Sequence, residues 1–337
     1  MDYFLPSVER ANACRRAMDR ALLHSVVAVL EPPAAAERLE SEPPGFGPLD
    51  YGAYFDLVLP HPAIGDMPAQ VKAEAASFLE RRLARIGDGS EAAPVERPAV
   101  TNLSEQFHPP EALERLKRWW DIEPENAMDL VGVSDADFQA GRRHVDAALA
   151  YLRRCAPVLH DEITALISDV ILARPDRAHR VAFGGASSFA LWGAMVLNVE
   201  VQTGWPGYFQ AIVHEAAHNL LFALARDEPL VRNELDMRYA SPLRDQARPM
   251  DGIFHATFVS ARESLALDCL LQWHESAGGL SDEKVDAVTA ALDGSVLAFW
   301  SGAATLRGEA QMTGLGEAIL AQCEDFVRSS FLVGDAG

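Results

Sequence analysis

The sequence has few cysteines and a deficit of positive charge. Four of its 337 residues are cysteine, at Cys14, Cys155, Cys269 and Cys323, and no two of them have a CxxC spacing. This pattern excludes a disulfide framework and is typical of isolated thiols in a reducing cytoplasm. Lysine and arginine together number 29 against 49 aspartates and glutamates, which gives a net charge of −20. Because such a surface repels phosphate backbones, we do not expect nucleic acid as a partner.

Long hydrophobic runs are also missing. The longest apolar stretches, such as Leu22 to Leu30, are too short to span a bilayer, and Met1 to Arg20 has no apolar signal core. The sequence therefore predicts a soluble, cytoplasmic protein without a membrane partner. It is rich in apolar residues, at 49% of the chain, which is enough to bury a substantial core. No feature of the sequence indicates the oligomeric state.

Helical patterns dominate the first half of the chain. Apolar periodicity predicts helices at Val8 to Leu30, Ala69 to Ile86 and Ser134 to about Ala173, and Pro157 is expected to split the last of these. Later, the apolar run Ala194 to Val201 is typical of a strand that is covered on both faces.

At 337 residues the chain exceeds the usual size of one domain. We therefore predict an α-rich α+β fold with two lobes. Residues 1–175 are expected to form a mainly helical N-terminal lobe, and residues 176–337 a zincin-like, metal-binding catalytic lobe that contains a small sheet.

The stretch His214-Glu215-Ala216-Ala217-His218 is the most informative motif. It lies within a helical pattern, where residues four apart lie one above the other on the same face. Both imidazoles can therefore close on one divalent metal, while Glu215 points about a quarter-turn away. The sequence thus predicts a metal site on this helix, with Glu215 as a catalytic candidate.

Two histidines need a third protein ligand to make a tight metal site with open positions. His255, near the expected start of the next helix, is the best candidate. Glu263 and Glu234 are the alternatives, and a glutamate ligand would favour a peptidase. Thermolysin-like peptidases have a glutamate ligand about 20 residues after the second histidine, but position 238 is arginine here. Metzincins have a third histidine shortly after the second, and no histidine soon follows His218.

A long polar segment joins the motif helix to the next helix and contains Arg244 and Arg248 between prolines. A structureless segment of this length inside a compact domain is usually functional. An enzyme that binds an anionic cosubstrate needs such residues, since a guanidinium grips a carboxylate through two parallel hydrogen bonds. Arg248 is our first choice for this contact and Arg244 the second.

The segment from Phe183 to Asp268 resembles the HExxH-motif peptide-modification proteins, also described as 2-oxoglutarate-dependent HExxH-type peptide β-hydroxylases. The resemblance covers about a quarter of the chain. It is carried by Ser187-Ser188-Phe189, the strand end Leu197-Asn198, the motif from His214 to His218, and Ser241-Pro242-x-Arg244 followed by Arg248-Pro249-x-x-Gly252-x-x-His255.

The resemblance implies Fe(II) bound by His214, His218 and His255, with 2-oxoglutarate as cosubstrate and the side chain of a ribosomally synthesised precursor peptide as the site of β-hydroxylation. The residues alone leave iron and zinc open, because imidazole suits both metals. The alternative function is a zinc metallopeptidase of zincin type with Glu215 as general base. A further alternative is a degenerate metal site in a peptide-binding scaffold.

Overall fold

The structure is a computed structural model that describes residues 2–30, 45–87, 98–120, 122, 127–176, 183–241 and 247–331. Within these ranges it is rich in helix, with one small mixed sheet, which confirms an α-rich α+β fold. The helices of the first half are α1 (Val8–Leu30), α2 (Pro48–Val58), α3 (Ala69–Gly87), α4 (Pro110–Trp120), α5 (Asp135–Cys155) and α6 (Pro157–Leu166). Those of the second half are α7 (Gly204–Leu224), α8 (Met250–Ala277), α9 (Asp282–Glu309) and α10 (Gly314–Phe331).

The sheet is built mainly on the longest strand, β3. The strands are β1 (Ala99–Asn102), β2 (Leu130–Val131), β3 (Asp169–Pro175), β4 (Gly185–Ala186) and β5 (Ala194–Asn198). Strand β3 pairs in parallel with β1 and β5 and antiparallel with β2, and β4 pairs antiparallel with β5. All five residues of β5 are buried, as its uninterrupted apolar sequence requires.

The contacts divide the chain into two units, and both are assembled from separate segments. The sheet unit comprises Glu9–Val145 and Thr164–Gln202. The helical unit comprises Met1–Val8, Asp146–Ile163 and Thr203–Gly337. This division differs from the predicted boundary at residue 175, because β3 ends there and pairs with β5 beyond it. The sheet thus belongs to the unit without the HExxH motif, whereas we expected it in the same lobe.

The core of the sheet unit lies between α4 and the sheet. On α4, Leu113, Leu116 and Trp120 are buried, and they cluster with Ile171 of β3 and Val196 of β5. A separate polar group ties α2 to α4 in the same unit. The buried carboxylate of Asp56 accepts hydrogen bonds from Arg115, Arg118 and Trp119.

The helical unit is organised around α8, which packs against α7, α9 and α10. Helix α8 is buried over most of its length, including polar residues such as Arg262 and Glu263. Helix α9 is long and apolar enough in composition to cross a membrane, with a mean hydropathy of 1.2 over its most apolar stretch. Its packing on α8 and the buried Ser295 place one face of α9 in the interior of this unit.

Candidate metal centre

Helix α7 carries the HExxH motif in its central turns. Pro206 lies in the first turn, where its missing N–H costs nothing, and the apolar residues that follow bury the helix. His214 and His218 therefore lie one turn apart, and their Nε2 atoms are 3.2 Å apart. Two nitrogens that bind one ion at about 2.1 Å, with angles of about 90–109°, are about 3.0–3.4 Å apart. The spacing of the two Nε2 atoms thus fits two ligands of one metal ion.

The other ring nitrogen of His214 contacts a carboxylate on α8. Its Nδ1 lies 2.9 Å from Oε1 of Glu263. The second carboxylate oxygen, Oε2, accepts a hydrogen bond of 2.8 Å from the hydroxyl of Ser295 on α9. Glu263 therefore contacts the ring edge of His214 that is turned away from the Nε2 pair. In this arrangement both carboxylate oxygens of Glu263 contact side chains, Oε1 that of His214 and Oε2 that of Ser295.

From α8, His255 contacts the second motif histidine, His218. Its Nδ1 lies 2.9 Å from Nδ1 of His218, and the two rings are inclined by only 20° with centroids 5.2 Å apart. His255 and Glu263 share one face of α8, since eight residues make just over two helical turns. One helix thus supplies a contact to the Nδ1 atom of each motif histidine.

Burial controls the protonation of His255. Its removal from water lowers the pKa of the imidazole, Asp251 acts in the opposite direction, and His214 lowers it further. His255 is therefore neutral near pH 7. A neutral imidazole has a lone pair that can bind a metal or accept a hydrogen bond.

The structure brings the three predicted histidines into contact, but their nitrogens do not surround a single position for an ion. No group of three or more His, Cys, Asp or Glu side chains in the described ranges is arranged to hold a metal ion. His255 differs from the other two histidines because its Nδ1 contacts Nδ1 of His218 and does not lie with the pair of Nε2 atoms. The role of His255 as third ligand stays a prediction.

Glu215 lies next to His214 on α7 and is buried, with 3% of its surface exposed. The side-chain amide of Asn219, one turn later, donates a hydrogen bond to the backbone carbonyl oxygen of Glu215. A carboxylate in this position is shielded from bulk water beside the two motif histidines. Its catalytic role stays a prediction.

An aromatic residue that the motif analysis missed borders the histidines. The ring of Phe222 lies 5.0 Å from that of His255 and 6.3 Å from that of His218, measured between centroids. Phe222 is four residues after His218, so the spacing that pairs the two motif histidines also predicts this contact. It gives the site an apolar wall beside His218 and His255.

The segment between α7 and α8 is fixed at several points. Tyr239 and Arg248 exchange two backbone hydrogen bonds of 2.8 and 2.9 Å. The side chain of Asn233 binds the Tyr239 hydroxyl and the backbone at Glu309 and Gln311. These contacts hold Arg248 two residues before α8 begins, with its Nη2 atom buried.

The other candidates from this segment are placed differently. Arg244 lies outside the described residues. Glu234 is exposed in a turn, where its carbonyl oxygen accepts a hydrogen bond from the backbone of Met237. Such an exposed carboxylate is a poor candidate for a third metal ligand.

Part of the sequence that resembles the HExxH peptide-modification proteins has a structural role in the sheet unit. Asn198, at the end of β5, donates a hydrogen bond of 3.0 Å from its amide to the carbonyl oxygen of Phe183. Its amide oxygen accepts a bond from the backbone of Glu200. These bonds fix the backbone on both sides of the strand and supply no group for chemistry.

Comparisons of the sequence with protein-family models and with curated proteins give no match.

Proposed function

We propose that this protein is an Fe(II)- and 2-oxoglutarate-dependent enzyme of the HExxH peptide-modification type that β-hydroxylates a side chain in a ribosomally synthesised precursor peptide. The observation that carries a metal-dependent function is the pair of Nε2 atoms 3.2 Å apart, with Nδ1 of His214 in contact with the carboxylate of Glu263 on α8. Metal-binding histidines in proteins are typically oriented in this way, through the nitrogen that does not bind the metal.

His214 and His218 would hold the iron through Nε2. His255 would complete the set by turning its ring from Nδ1 of His218 toward the two Nε2 atoms. With three protein ligands, the ion would keep positions for 2-oxoglutarate and for dioxygen. Iron with 2-oxoglutarate and dioxygen supplies the oxidising chemistry needed at an unactivated carbon. A zincin-like organisation of this metal-binding lobe is part of the proposal.

Arg248 would bind the carboxylate of 2-oxoglutarate that does not reach the metal. It precedes the first residue of α8 by two positions, and His255 lies five residues into that helix. The rise from Met250 to His255 is about 7.5 Å along the helix axis, and Arg248 stands two residues before Met250. A guanidinium there compensates a charge that would cost several kcal/mol to bury unpaired. Arg244 is the second choice for this role.

The alternative function is a zinc metallopeptidase of zincin type in which Glu215 deprotonates the attacking water. A glutamate as third metal ligand would support this alternative. Glu263 instead contacts Nδ1 of His214 and the Ser295 hydroxyl, and Glu234 is exposed. This geometry favours the hydroxylase over the peptidase.

The cysteines and the net charge of the protein bear on where it acts and on what it binds. The four cysteines are free thiols in the structure, as a reducing cytoplasm would maintain them. With a net charge of −20, the protein suits a peptide substrate with basic residues better than a nucleic acid. We therefore propose a cytoplasmic enzyme that acts on a precursor peptide.

The test is metal analysis of the purified protein, followed by measurement of succinate released from 2-oxoglutarate in the presence of Fe(II). We expect the protein to bind iron and to release succinate only when 2-oxoglutarate is present. His214→Ala or His218→Ala should abolish both metal binding and turnover, whereas the control His24→Ala changes an exposed histidine on α1 and should change neither. Metal-dependent turnover without 2-oxoglutarate would contradict the proposal.

Arg248→Lys tests the cosubstrate contact. Lysine keeps the charge but cannot form two parallel hydrogen bonds, so we expect a large rise in the apparent 2-oxoglutarate constant with iron binding retained. Arg244→Lys serves as the comparison, because Arg244 is the second choice. If both variants bind 2-oxoglutarate like the wild type, the proposed arginine contact is wrong.

A further inference from the structure

Glu263 is a buried carboxylate whose two oxygens contact two different helices. Its side chain is 7% exposed, and it stands on α8 between His214 of α7 and Ser295 of α9. The contact distances are 2.9 Å to Nδ1 of His214 and 2.8 Å to the hydroxyl of Ser295, which is itself buried. The result is a continuous chain of hydrogen bonds, from α9 through α8 to the motif histidine.

We propose that Glu263 and Ser295 are positioning residues that fix the tautomer and the ring orientation of His214. A carboxylate at Nδ1 holds the proton on that nitrogen, so that the lone pair stays on Nε2, which faces His218. The hydroxyl of Ser295 holds the carboxylate in the plane where it meets the imidazole. This inference rests on the proposed metal-dependent function, because the ring is being oriented toward a metal.

A purely structural role for Glu263 does not explain the arrangement equally well. A carboxylate buried between helices costs free energy unless charge-assisted hydrogen bonds compensate it, and an apolar side chain would fill this interface at lower cost. Here one oxygen of Glu263 contacts Nδ1 of His214, the ring nitrogen that does not face His218. The other oxygen accepts the hydrogen bond from Ser295. Contacts of this kind typically change metal affinity by about 10–100-fold when they are removed.

The experiment compares the metal affinity of full-length variants, measured by competition between the protein and a chelator for Zn(II), with Co(II) absorption as a second probe. Glu263→Ala removes the charge and both hydrogen bonds and should weaken binding by about 10–100-fold. In Glu263→Gln the amide oxygen can still accept from Nδ1 and the amide N–H can donate to Ser295, so a smaller loss is expected. Ser295→Ala should also weaken binding, by less than Glu263→Ala.

Ser264→Ala is the matched control. Ser264 lies next to Glu263 on the same helix and is equally buried, but its hydroxyl donates only within α8, to the carbonyl oxygen of Ser260 at 2.8 Å. It should bind Zn(II) like the wild type. Equal affinities in wild type, Glu263→Ala and Ser295→Ala would overturn the positioning role while leaving the proposed function intact.

A second measurement keeps the two proposals separable. Imidazole 15N and 1H resonances of the metal-free protein report which nitrogen of His214 carries the proton. We expect the Nδ1–H form in the wild type and in Glu263→Gln, and mixed tautomers in Ser295→Ala. An Nε2–H form in the wild type would overturn the inference. If the wild type shows the Nδ1–H form but binds neither Zn(II) nor Co(II), the proposed function fails while the hydrogen-bond chain itself is supported.

Discussion

A histidine has two ring nitrogens, and the structure gives different partners to the two nitrogens of each motif histidine. In His214, Nδ1 contacts Glu263 and Nε2 faces His218. In His218, Nδ1 contacts His255 and Nε2 faces His214. Nδ1 of each ring thus contacts a partner on α8, and the two Nε2 atoms face each other.

At the same scale, Glu215→Gln separates the hydroxylase from the peptidase. In a hydroxylase Glu215 only orients neighbouring groups or water, so we expect turnover to fall by about 10–100-fold with metal binding retained. In a peptidase it is the general base, and its loss should cost several orders of magnitude. The measurement is turnover, followed as succinate release for a hydroxylase and as peptide-bond cleavage for a peptidase, with the Zn(II) affinity of the same preparation. Near-complete loss of turnover with metal and cosubstrate still bound would contradict a purely supporting role.

Glu234→Gln is the control for the charge change. Glu234 is exposed in the segment between α7 and α8, and the same substitution there should leave turnover within about twofold of the wild type, as is usual for surface changes. A comparable loss in both variants would mean that the effect of Glu215→Gln is not specific to the motif.

The sequence predicts the residues of the candidate site unequally well. The spacing of His214 and His218 places their rings on one helix face, and the structure has them there. Phe222 follows the same spacing and was predictable, although it was missed. Ser295 was not predictable, because no local pattern records that a hydroxyl on α9 will lie against a carboxylate on α8. Contacts of this kind are set by helix packing, which the sequence does not display.

At the scale of elements, the predictions succeeded where apolar residues repeat with a helical period. They failed where a short apolar run fits a helix and a strand equally well. Helix α1 has the predicted bounds, Val8–Leu30, and α5 begins after Ser134, whose hydroxyl accepts from the backbone of Asp137 at 3.2 Å. Pro157 divides α5 from α6 as expected. The continuation of that helical pattern to Ala173 is wrong, because Asp169–Pro175 is β3. Its short apolar run fits a helix or a buried strand, and the pairing with β1 and β5 decides between them.

Helix α8 also begins earlier than predicted, at Met250, whereas the sequence placed the start of this helix close to His255. Pro249 is its N-cap residue, and a proline at this point requires no helical N–H. His255 therefore lies in the second turn and not at the helix start. It shares a face of α8 with Glu263, eight residues further along, which the sequence presented only as a rival ligand.

A buried ion pair ties α8 to α6 and to the N-terminal residues. Arg262 donates hydrogen bonds to Glu162 and to the carbonyl oxygen of Phe4, and Glu162 also accepts from the backbone of Ser7 at 2.8 Å. Arg262→Met leaves a buried carboxylate without its cation, and we expect it to destabilise the protein by about 3–5 kcal/mol. The measurement is the urea midpoint of the helical signal by circular dichroism.

Arg307→Met is the control for loss of an arginine. Arg307 pairs with Glu317 and Glu324 but is 39% exposed, and such surface pairs contribute about 1 kcal/mol or less. The double variant Arg262→Met with Glu162→Leu should be more stable than Arg262→Met alone, because it no longer buries an unpaired charge. Equal stabilities for Arg262→Met and Arg307→Met would contradict the importance of the buried pair.

At the scale of the whole molecule, the excess of acidic residues makes stability sensitive to pH, and several of these residues are buried, Asp19 among them. Burial raises the pKa of Asp19 in the sheet unit to about 7, and this effect outweighs the nearby Arg15 and the hydrogen bond donated by the Tyr51 hydroxyl, both of which lower it. A pKa that is raised in the folded state means that the native protein binds a proton more tightly than the unfolded chain does. The stabilisation from this proton is complete below about pH 4 and is lost as the pH rises to about 7.

Asp19→Asn therefore should stabilise the protein at high pH and do so less at low pH. Between pH 5.5 and pH 8 the cost of ionising Asp19 grows by about 1.5 pKa units, or about 2 kcal/mol, and the asparagine variant avoids it. The measurement is the difference in unfolding free energy between variant and wild type at the two pH values. Asp66→Asn, which removes an exposed carboxylate, corrects for the change in net charge and should show a nearly constant difference. An advantage of Asp19→Asn that shrinks from pH 5.5 to pH 8 would show that Asp19 is stabilised in the folded protein as a carboxylate, and would reverse the sign argued here.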